Sequence, residues 1–335
     1  MSSGKNGRII VTSLGGPEVL KYIEENIPEP GPGEVRVKVL AAGVAFADVL
    51  MRRGLYPGVP PPPFSPGYDI VGVVDCCGPG VAQWKPGDLV AAIPQTGGYS
   101  RYIVLPESEL IQVPAGLDPS EAVSLILNYT TAYQLIHRIA RLRQGESVLI
   151  HGAAGGVGTA ALQLGSLAGL KMFGTASKAK HDLVARLGGI PIDYRSEDFV
   201  QRAAGVNAVF DPIGGRNWPR SYRALAKGGR FVGYGMSAAL EGGRQNKMLA
   251  VASFAWLGLA SLVPGKSARW YNIMTEKKKH PVLFREDLSR LLAMLQEKSI
   301  APVVAQRLPL RDAARAQELL EHASVTGKIV LMCQE

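Results

Sequence analysis

Apolar and polar residues alternate through much of the first third of the chain, as in EVRVKVLAAG (34–43) and YDIVGVVD (68–75), with GGP, PGPG and PPPP between such runs. A period of two puts successive side chains on opposite faces of an extended strand, and glycine and proline end such strands. Residues 8 to 115 therefore predict an all-β domain of short strands with few helices. The pattern changes at Asp118-Pro119-Ser120-Glu121, which offers a cap acceptor, a proline for the first helical position and a carboxylate at the third. A helix is predicted to start there. From Glu146 onward, strands and helices alternate: SVLIHG, VGTAALQLGSLAG, LKMFGT, DLVARLGG, PIDY, a short helix, NAVFDPIGG, WPRSYRALAKGG and RFVGYG. Apolar strands separated by amphipathic helices predict a parallel sheet covered on both faces, the doubly wound α/β class. A helix near FREDLSRLLAMLQEKSI and a terminal apolar run, GKIVLMC, close the chain.

At 335 residues the chain has room for two domains, each with its own core. With 47% apolar and 19% charged residues it is a folded globular chain, neither disordered nor fibrous. The net charge of +9 suits an anionic ligand or an acidic surface without choosing between them. Between Lys266 and Arg315 there are eleven basic and five acidic side chains, including Lys277-Lys278-Lys279. No aromatic residues alternate with these lysines as stacking platforms would require, so nucleic acid is not an expected partner. Three cysteines make no disulfide framework, and the first residues, MSSGKNGR, carry no apolar core of a signal peptide. The expected location is the cytoplasm.

The sequence SVLIHGAAGGVGTAALQLG places Ala154, Gly155, Gly156, Val157 and Gly158 at the joint between an apolar strand and a helix. There, absent side chains let backbone amides reach a pyrophosphate, the helix N-terminus adds partial positive charge, and the last glycine lets the helix pack on the strand. Ala153 stands where the usual fingerprint has its first glycine. A carboxylate some twenty residues downstream would grip the ribose hydroxyls of NAD. Instead KMFGTASKAKH supplies Thr175, Ser177, Lys178, Lys180 and His181, and the next strand ends at Tyr194 and Arg195. Hydroxyl and cationic groups there predict NADP (NADPH).

AAGVAFADVLMRRGLYP, PGYDIVGVV, GGYSRYIVLP, LNYTTAY, HGAAGGVG, GTASKAKH, IDYRSEDF, VFDPIGG and GRFVGYGM together resemble the medium-chain dehydrogenase/reductase superfamily over essentially the whole chain, in its zinc-free quinone oxidoreductase branch. LNYTTAY, GTASKAKH and IDYRSEDF are similar to its synaptic vesicle membrane protein type. The resemblance implies a GroES-like β domain from both chain ends (1–126 and 276–335), a Rossmann domain at 127–275, an active site in the cleft between them and a homodimer joined at the Rossmann edge strands. It also implies that Asn128 and Thr131 lie beside the nicotinamide and phosphates, that Gly235 and Met236 border the nicotinamide ribose, and that Lys328 reaches back toward the cofactor.

Zinc-dependent members take a cysteine and a histidine as metal ligands where this chain has Ala45 and Tyr68, and the structural-zinc cysteines are missing. No bound metal is expected. Without such a Lewis acid, an activated acceptor is the easier substrate: a quinone, or an alkene conjugated to a carbonyl, takes hydride directly. The reading is a zinc-independent NADPH-dependent oxidoreductase acting on a small hydrophobic quinone or enone, with Tyr56 the catalytic hydrogen-bond donor by resemblance. The alternative is a membrane- or partner-associated nucleotide-binding protein with little turnover. The charge-free stretch inside residues 247–266, with Trp256 near its middle, is open to three roles: pocket wall or buried helix, dimer contact, or membrane-surface element.

Overall fold

A computed structural model describes residues 4–243 and 246–334, the side chains of 241–243 excepted. The chain divides into two compact units, residues 1–127 with 285–335 and residues 128–284. The second junction falls at 285, beyond the expected 276, so the helix Ile273–Lys279 belongs to the second unit.

The first unit opens with β1 (Lys5–Val11) and β2 (Leu20–Asn26), which pair with each other, then β3 (Glu34–Val44), β4 (Asp69–Cys77), β5 (Leu89–Ala92), β6 (Tyr102–Pro106) and β7 (Ile111–Gln112). The alternation read from VRVKV is the burial pattern of β3, whose Val35, Val37 and Val39 are fully buried. The short helix Phe46–Arg52 follows β3 directly, an element the sequence pattern did not predict. Its start signal is unusual: Ala45, at the cap, has no side-chain acceptor, and Asp48 on the first turn reaches back to accept the Ala45 N–H at 2.9 Å.

At Asp118 the predicted cap is present, its carboxylate accepting from the N–H groups of Ser120 and Glu121 at 2.9 and 3.0 Å. The helix Pro119–Ser124 continues through π-type turns at Leu125–Tyr129, a regular turn at Thr130–Tyr133 and more π-type turns at Gln134–Ile139. Such turns shift side chains around the helix axis and recur at functional sites.

The second unit holds β8 (Ser147–Ile150), β9 (Lys171–Ala176), β10 (Gly189–Asp193), β11 (Val206–Asp211), β12 (Leu225–Gly233) and β13 (Ser267–Trp270). Their order is β10-β9-β8-β11-β12-β13, all parallel. This is the doubly wound sheet predicted, with the strand order reversing between β8 and β11, where such sheets bind ligands at the strand C-termini. One predicted helix is shorter than its pattern: Asn217–Arg223 stops before Ala224, and β12 begins at Leu225.

β14 (Val304–Pro309) and β15 (Lys328–Met332) return to the first unit, completing the order β14-β15-β3-β4-β5-β7 with β6 also on β3. Both chain ends thus build one sheet. That architecture is the GroES-like domain of the expectation.

Candidate functional site

In the second unit, Ile150 ends β8, the chain turns through residues 151–155, and the helix Gly156–Leu167 starts with Gly155 as its cap. The Gly155 N–H closes the turn on the Gly152 carbonyl at 2.9 Å. Close approach of backbone requires glycine at one of the predicted positions, 158, and at another, 156, a side chain would displace a neighbouring one. A Cβ on Gly158 would collide with the Gly152 carbonyl and Ala153 backbone, and one on Gly156 would collide with the carboxamide of Asn128. The expected residues Asn128 and Gly156 are therefore neighbours, brought together by the π-type turns at Leu125–Tyr129. Thr131, one helical turn on, is buried, as is Ala154, while Val157 is half-buried.

Thr175, next to last in β9, lies directly beside this turn. Its hydroxyl lies 3.0 Å from His151 Nδ1 and accepts the Gly152 N–H at 3.3 Å, so it braces the turn from below. Ser177 and Lys180 follow at the strand's C-terminal end, half-buried, and burial holds the Lys180 ammonium below its ordinary range. A nearby anion would offset that penalty. Beside them His181 is buried, with an Nε2 that has no hydrogen-bond partner among the described residues. Tyr194, after β10, is exposed, with the Arg195 guanidinium over its ring. On the other side of the β8/β11 switch, Met236 is buried and packs at the DPIGG turn, and Gly235 lies against Pro212. A glycine-lined helix N-terminus, a buried imidazole nitrogen in need of a partner and a partly desolvated cation fit a phosphate-bearing dinucleotide.

A network missed by sequence reading lies under the turn. Ser221 Oγ sits 2.9 Å from His151 Nε2 and donates to Asp211 Oδ2 at 2.7 Å, while the N–H groups of Ile213 and Gly214 reach Asp211 Oδ1 at 2.8 and 3.3 Å. Serine, histidine and aspartate in sequence suggest nucleophilic catalysis, yet their exposures are 0%, 3% and 0%. No substrate reaches them; the group ties β8, β9 and β11 together at the ends that carry the turn. Burial pushes His151 below its ordinary pKa against the pull of Asp211, so the ring is neutral there.

Tyr56 and Lys328 belong to the first unit. Lys328 Nζ is buried on Asp69, 3.0 and 3.2 Å from the two carboxylate oxygens. Tyr56, half-buried in the loop after the helix Phe46–Arg52, lies with its hydroxyl 2.8 Å from that of Tyr68. Tyr68 and Ala45, at the positions of the family's zinc ligands, are both buried, and Asp48 links their segments by accepting the N–H groups of Ala45 and Gly67 at 2.9 and 3.0 Å. Among the described residues no three His, Cys, Asp or Glu side chains are grouped to hold a metal ion.

Comparison with known proteins agrees with this architecture. Residues 31–115 match the alcohol dehydrogenase GroES-like domain, and residues 187–331 match the zinc-binding dehydrogenase family. The synaptic vesicle membrane protein VAT-1 homolog of Rattus norvegicus is 33% identical across 97% of this chain and 83% of that protein. A quinone oxidoreductase of Pseudomonas aeruginosa is 32% identical across 97% of this chain and 99% of its own length. The crystal structure of Escherichia coli quinone oxidoreductase complexed with NADPH superposes with a TM-score of 0.85 at 30% identity, covering 97% of this chain and 99% of that one. With both architectural halves, the parallel sheet and these relatives in agreement, the chain is an oxidoreductase that belongs to the medium-chain dehydrogenase/reductase superfamily, with quinone oxidoreductases and VAT-1 homologs among its relatives.

Proposed function

We propose that the protein reduces a quinone or an α,β-unsaturated carbonyl compound with NADPH, without zinc. The observation that carries this reading is the site at the ends of β8 and β9: a glycine-lined helix N-terminus followed by Ser177, Lys180 and an unpartnered His181 nitrogen. The amides of Gly155 to Gly158 would hold the pyrophosphate. Ser177, Lys180, His181 and Tyr194 would surround the 2′-phosphate, and Asn128, Thr131, Gly235 and Met236 would position the nicotinamide half. Bound there, NADPH supplies hydride. Ala45 and Tyr68 offer no cysteine or histidine ligand for a zinc ion, which favours acceptors whose conjugation already stabilises the added electron pair. By the resemblance Tyr56 would donate a hydrogen bond to the oxygen on which that charge gathers.

Titration calorimetry tests the cofactor half directly. NADPH is expected to bind in preference to NADH, and Lys180→Ala to weaken NADPH by about tenfold, roughly 1.4 kcal/mol, while barely touching NADH. Equal losses for the two coenzymes would remove the phosphate pocket, and no heat with either would remove the redox reading. Consumption of NADPH with a panel of quinones and enones then identifies the acceptor.

A second reading has its own observation. The helix Lys247–Ser261 and the turn after it expose Met248, Val251, Leu259 and Leu262 at 83, 71, 68 and 78%, far more apolar surface than a solvated helix keeps. Its other face packs inward through Ser253, Leu257 and Ala260, so a purely buried role is incomplete. Beside it β13 is one of the two edge strands of the sheet. Both features favour a homodimer, the edge strand extending the sheet. Lys247 and Arg269, exposed at either end, favour the alternative of an anionic membrane surface. No helix among the described residues is long and apolar enough to cross a membrane. Leu259→Lys separates the two: sedimentation should show a dimer becoming a monomer, whereas loss of vesicle co-sedimentation at unchanged mass would favour the membrane and a protein with little turnover.

A further inference from the structure

We propose that Thr175, His151, Ser221 and Asp211 form a one-way chain of hydrogen bonds that fixes both lips of the crevice between β8 and β11, and that His151 and Ser221 are positioning residues for a dinucleotide that neither of them touches. This deepens the reading above and rests on it for the ligand. Every residue of the chain lies in the second unit, and all four side chains are buried.

The direction of the chain follows from its hydrogens. Asp211 is surrounded by donors: Oδ1 accepts from the Ile213 and Gly214 N–H groups at 2.8 and 3.3 Å, and Oδ2 accepts from Asn217 Nδ2 at 2.8 Å and from the Ser221 hydroxyl at 2.7 Å. The single hydroxyl hydrogen of Ser221 is committed there, so its oxygen, 2.9 Å from His151 Nε2, can only accept from the ring. Nε2 must then carry the ring hydrogen. Burial keeps the ring neutral, which leaves Nδ1 bare to accept the Thr175 hydroxyl hydrogen across 3.0 Å. The Thr175 oxygen in turn accepts the Gly152 N–H at 3.3 Å. Reversing any one member would leave two donors or two acceptors face to face in the core.

The two ends of the chain hold two turns. At one end Gly152 opens the glycine turn, and its carbonyl both accepts the Gly155 N–H at 2.9 Å and stands against Gly158. At the other end Asp211 gathers the amides of the DPIGG turn, where Gly214 and Gly215 adopt left-handed φ angles of 82 and 56°. The strand order reverses between β8 and β11, the strands that lead into these turns, and a crevice of that kind takes a dinucleotide with its pyrophosphate on the first turn. A break anywhere along the chain releases the glycine turn from the carboxylate that fixes the other one. The amides that face the pyrophosphate then lose their preset arrangement, and binding must supply it.

Two hydroxyl deletions test this. In titration calorimetry Thr175→Val and Ser221→Ala are each expected to weaken NADPH and NADH by the same factor, about tenfold, because the turn they hold serves the pyrophosphate that the two coenzymes share. Lys180→Ala, by contrast, should act on NADPH alone. Thr175→Ser keeps the hydroxyl and should bind both coenzymes within about twofold of the parent. The double variant Thr175→Val/Ser221→Ala should bind no more weakly than the weaker single one, because both cut one chain. Nitrogen NMR of the histidine rings reads the chain in the parent protein without coenzyme: His151, identified by its loss in His151→Gln or, should that variant not fold, by its shift in Thr175→Val, should carry its hydrogen on Nε2 and none on Nδ1. A hydrogen on Nδ1, a loss confined to NADPH, Thr175→Ser as weak as Thr175→Val, or additive losses in the double variant would each overturn the proposal. If Ser221→Ala does not fold, Thr175→Val against Thr175→Ser decides it. No heat from the parent with either coenzyme would remove the functional reading instead, whereas a parent that binds and a Thr175→Val that binds equally well would remove this one alone.

Discussion

Lys328→Met is expected to cost the first unit about 3–5 kcal/mol and to lower its melting temperature by on the order of 10 °C. Lys328 and Asp69 are 3% and 0% exposed, and Lys328 Nζ lies within 3.2 Å of both Asp69 oxygens. Burial raises Asp69 above the usual carboxylate range and the ammonium only partly pulls it back, so without the lysine Asp69 would remain buried and would have to take up a proton to stay there. Gly43 faces the pair so closely that a Cβ there would collide with both side chains. The sign with pH follows. In the variant the folded-state pKa of Asp69 rises further above its unfolded value of about 3.9, so the native state holds a proton that the unfolded chain has released. The deficit should therefore be largest above neutrality and shrink as pH falls toward 5. Adding Asp69→Asn should restore much of the loss at neutral pH. A variant that melts with the parent would mean that the pair is solvated after all.

The same lysine shows where sequence reading stopped. From resemblance Lys328 was expected to reach back toward the cofactor; the structure shows its ammonium on Asp69, 259 positions away in the chain, a partner that no local pattern foretells. Local signals were legible because they are local. The alternation of β3, the Asp118 cap and the glycine turn after β8 each follow from residues a few positions apart. The helix Phe46–Arg52 escaped because its cap is an alanine and the acceptor sits three residues later. The Tyr56–Tyr68 pair, the Asp48 clamp and the His151–Ser221–Asp211 network join segments that only the folded sheets bring together, and such contacts leave no period in the chain. The helix Lys247–Ser261 is a third kind of case. With no charged residue between Lys247 and Lys266, nothing in the pattern marks a polar face, so its exposed side could not be read in advance.

Stability should also respond to pH in opposite directions in the two units. Asp48 is fully buried and its pKa is pushed up to about 7, chiefly by desolvation, with the Ala45 and Gly67 N–H groups pulling the other way and Asp69 adding to the rise. Its unfolded value is about 3.9, so from roughly pH 4 to 7 the native state binds a proton that the unfolded state lacks. Stability of the first unit should then rise as pH falls through that window, by on the order of 4 kcal/mol from Asp48 alone, and Asp69 acts in the same sense. His151 has the reverse sign: burial lowers its pKa, the unfolded chain takes up the proton first, and the second unit should lose stability as pH falls below about 6.5. Hydrogen exchange, corrected for its intrinsic pH dependence and read peptide by peptide from pH 5 to 8, separates the two trends. Asp48→Asn should remove about one proton from the slope of the first unit between pH 5 and 6.5. It should also cost about 1–3 kcal/mol at low pH, because its amide nitrogen would turn a donor toward the donors that Asp48 now accepts. An unchanged slope in that variant would mean that Asp48 stays ionised throughout the range, held so by the Ala45 and Gly67 N–H groups and the Tyr99 hydroxyl.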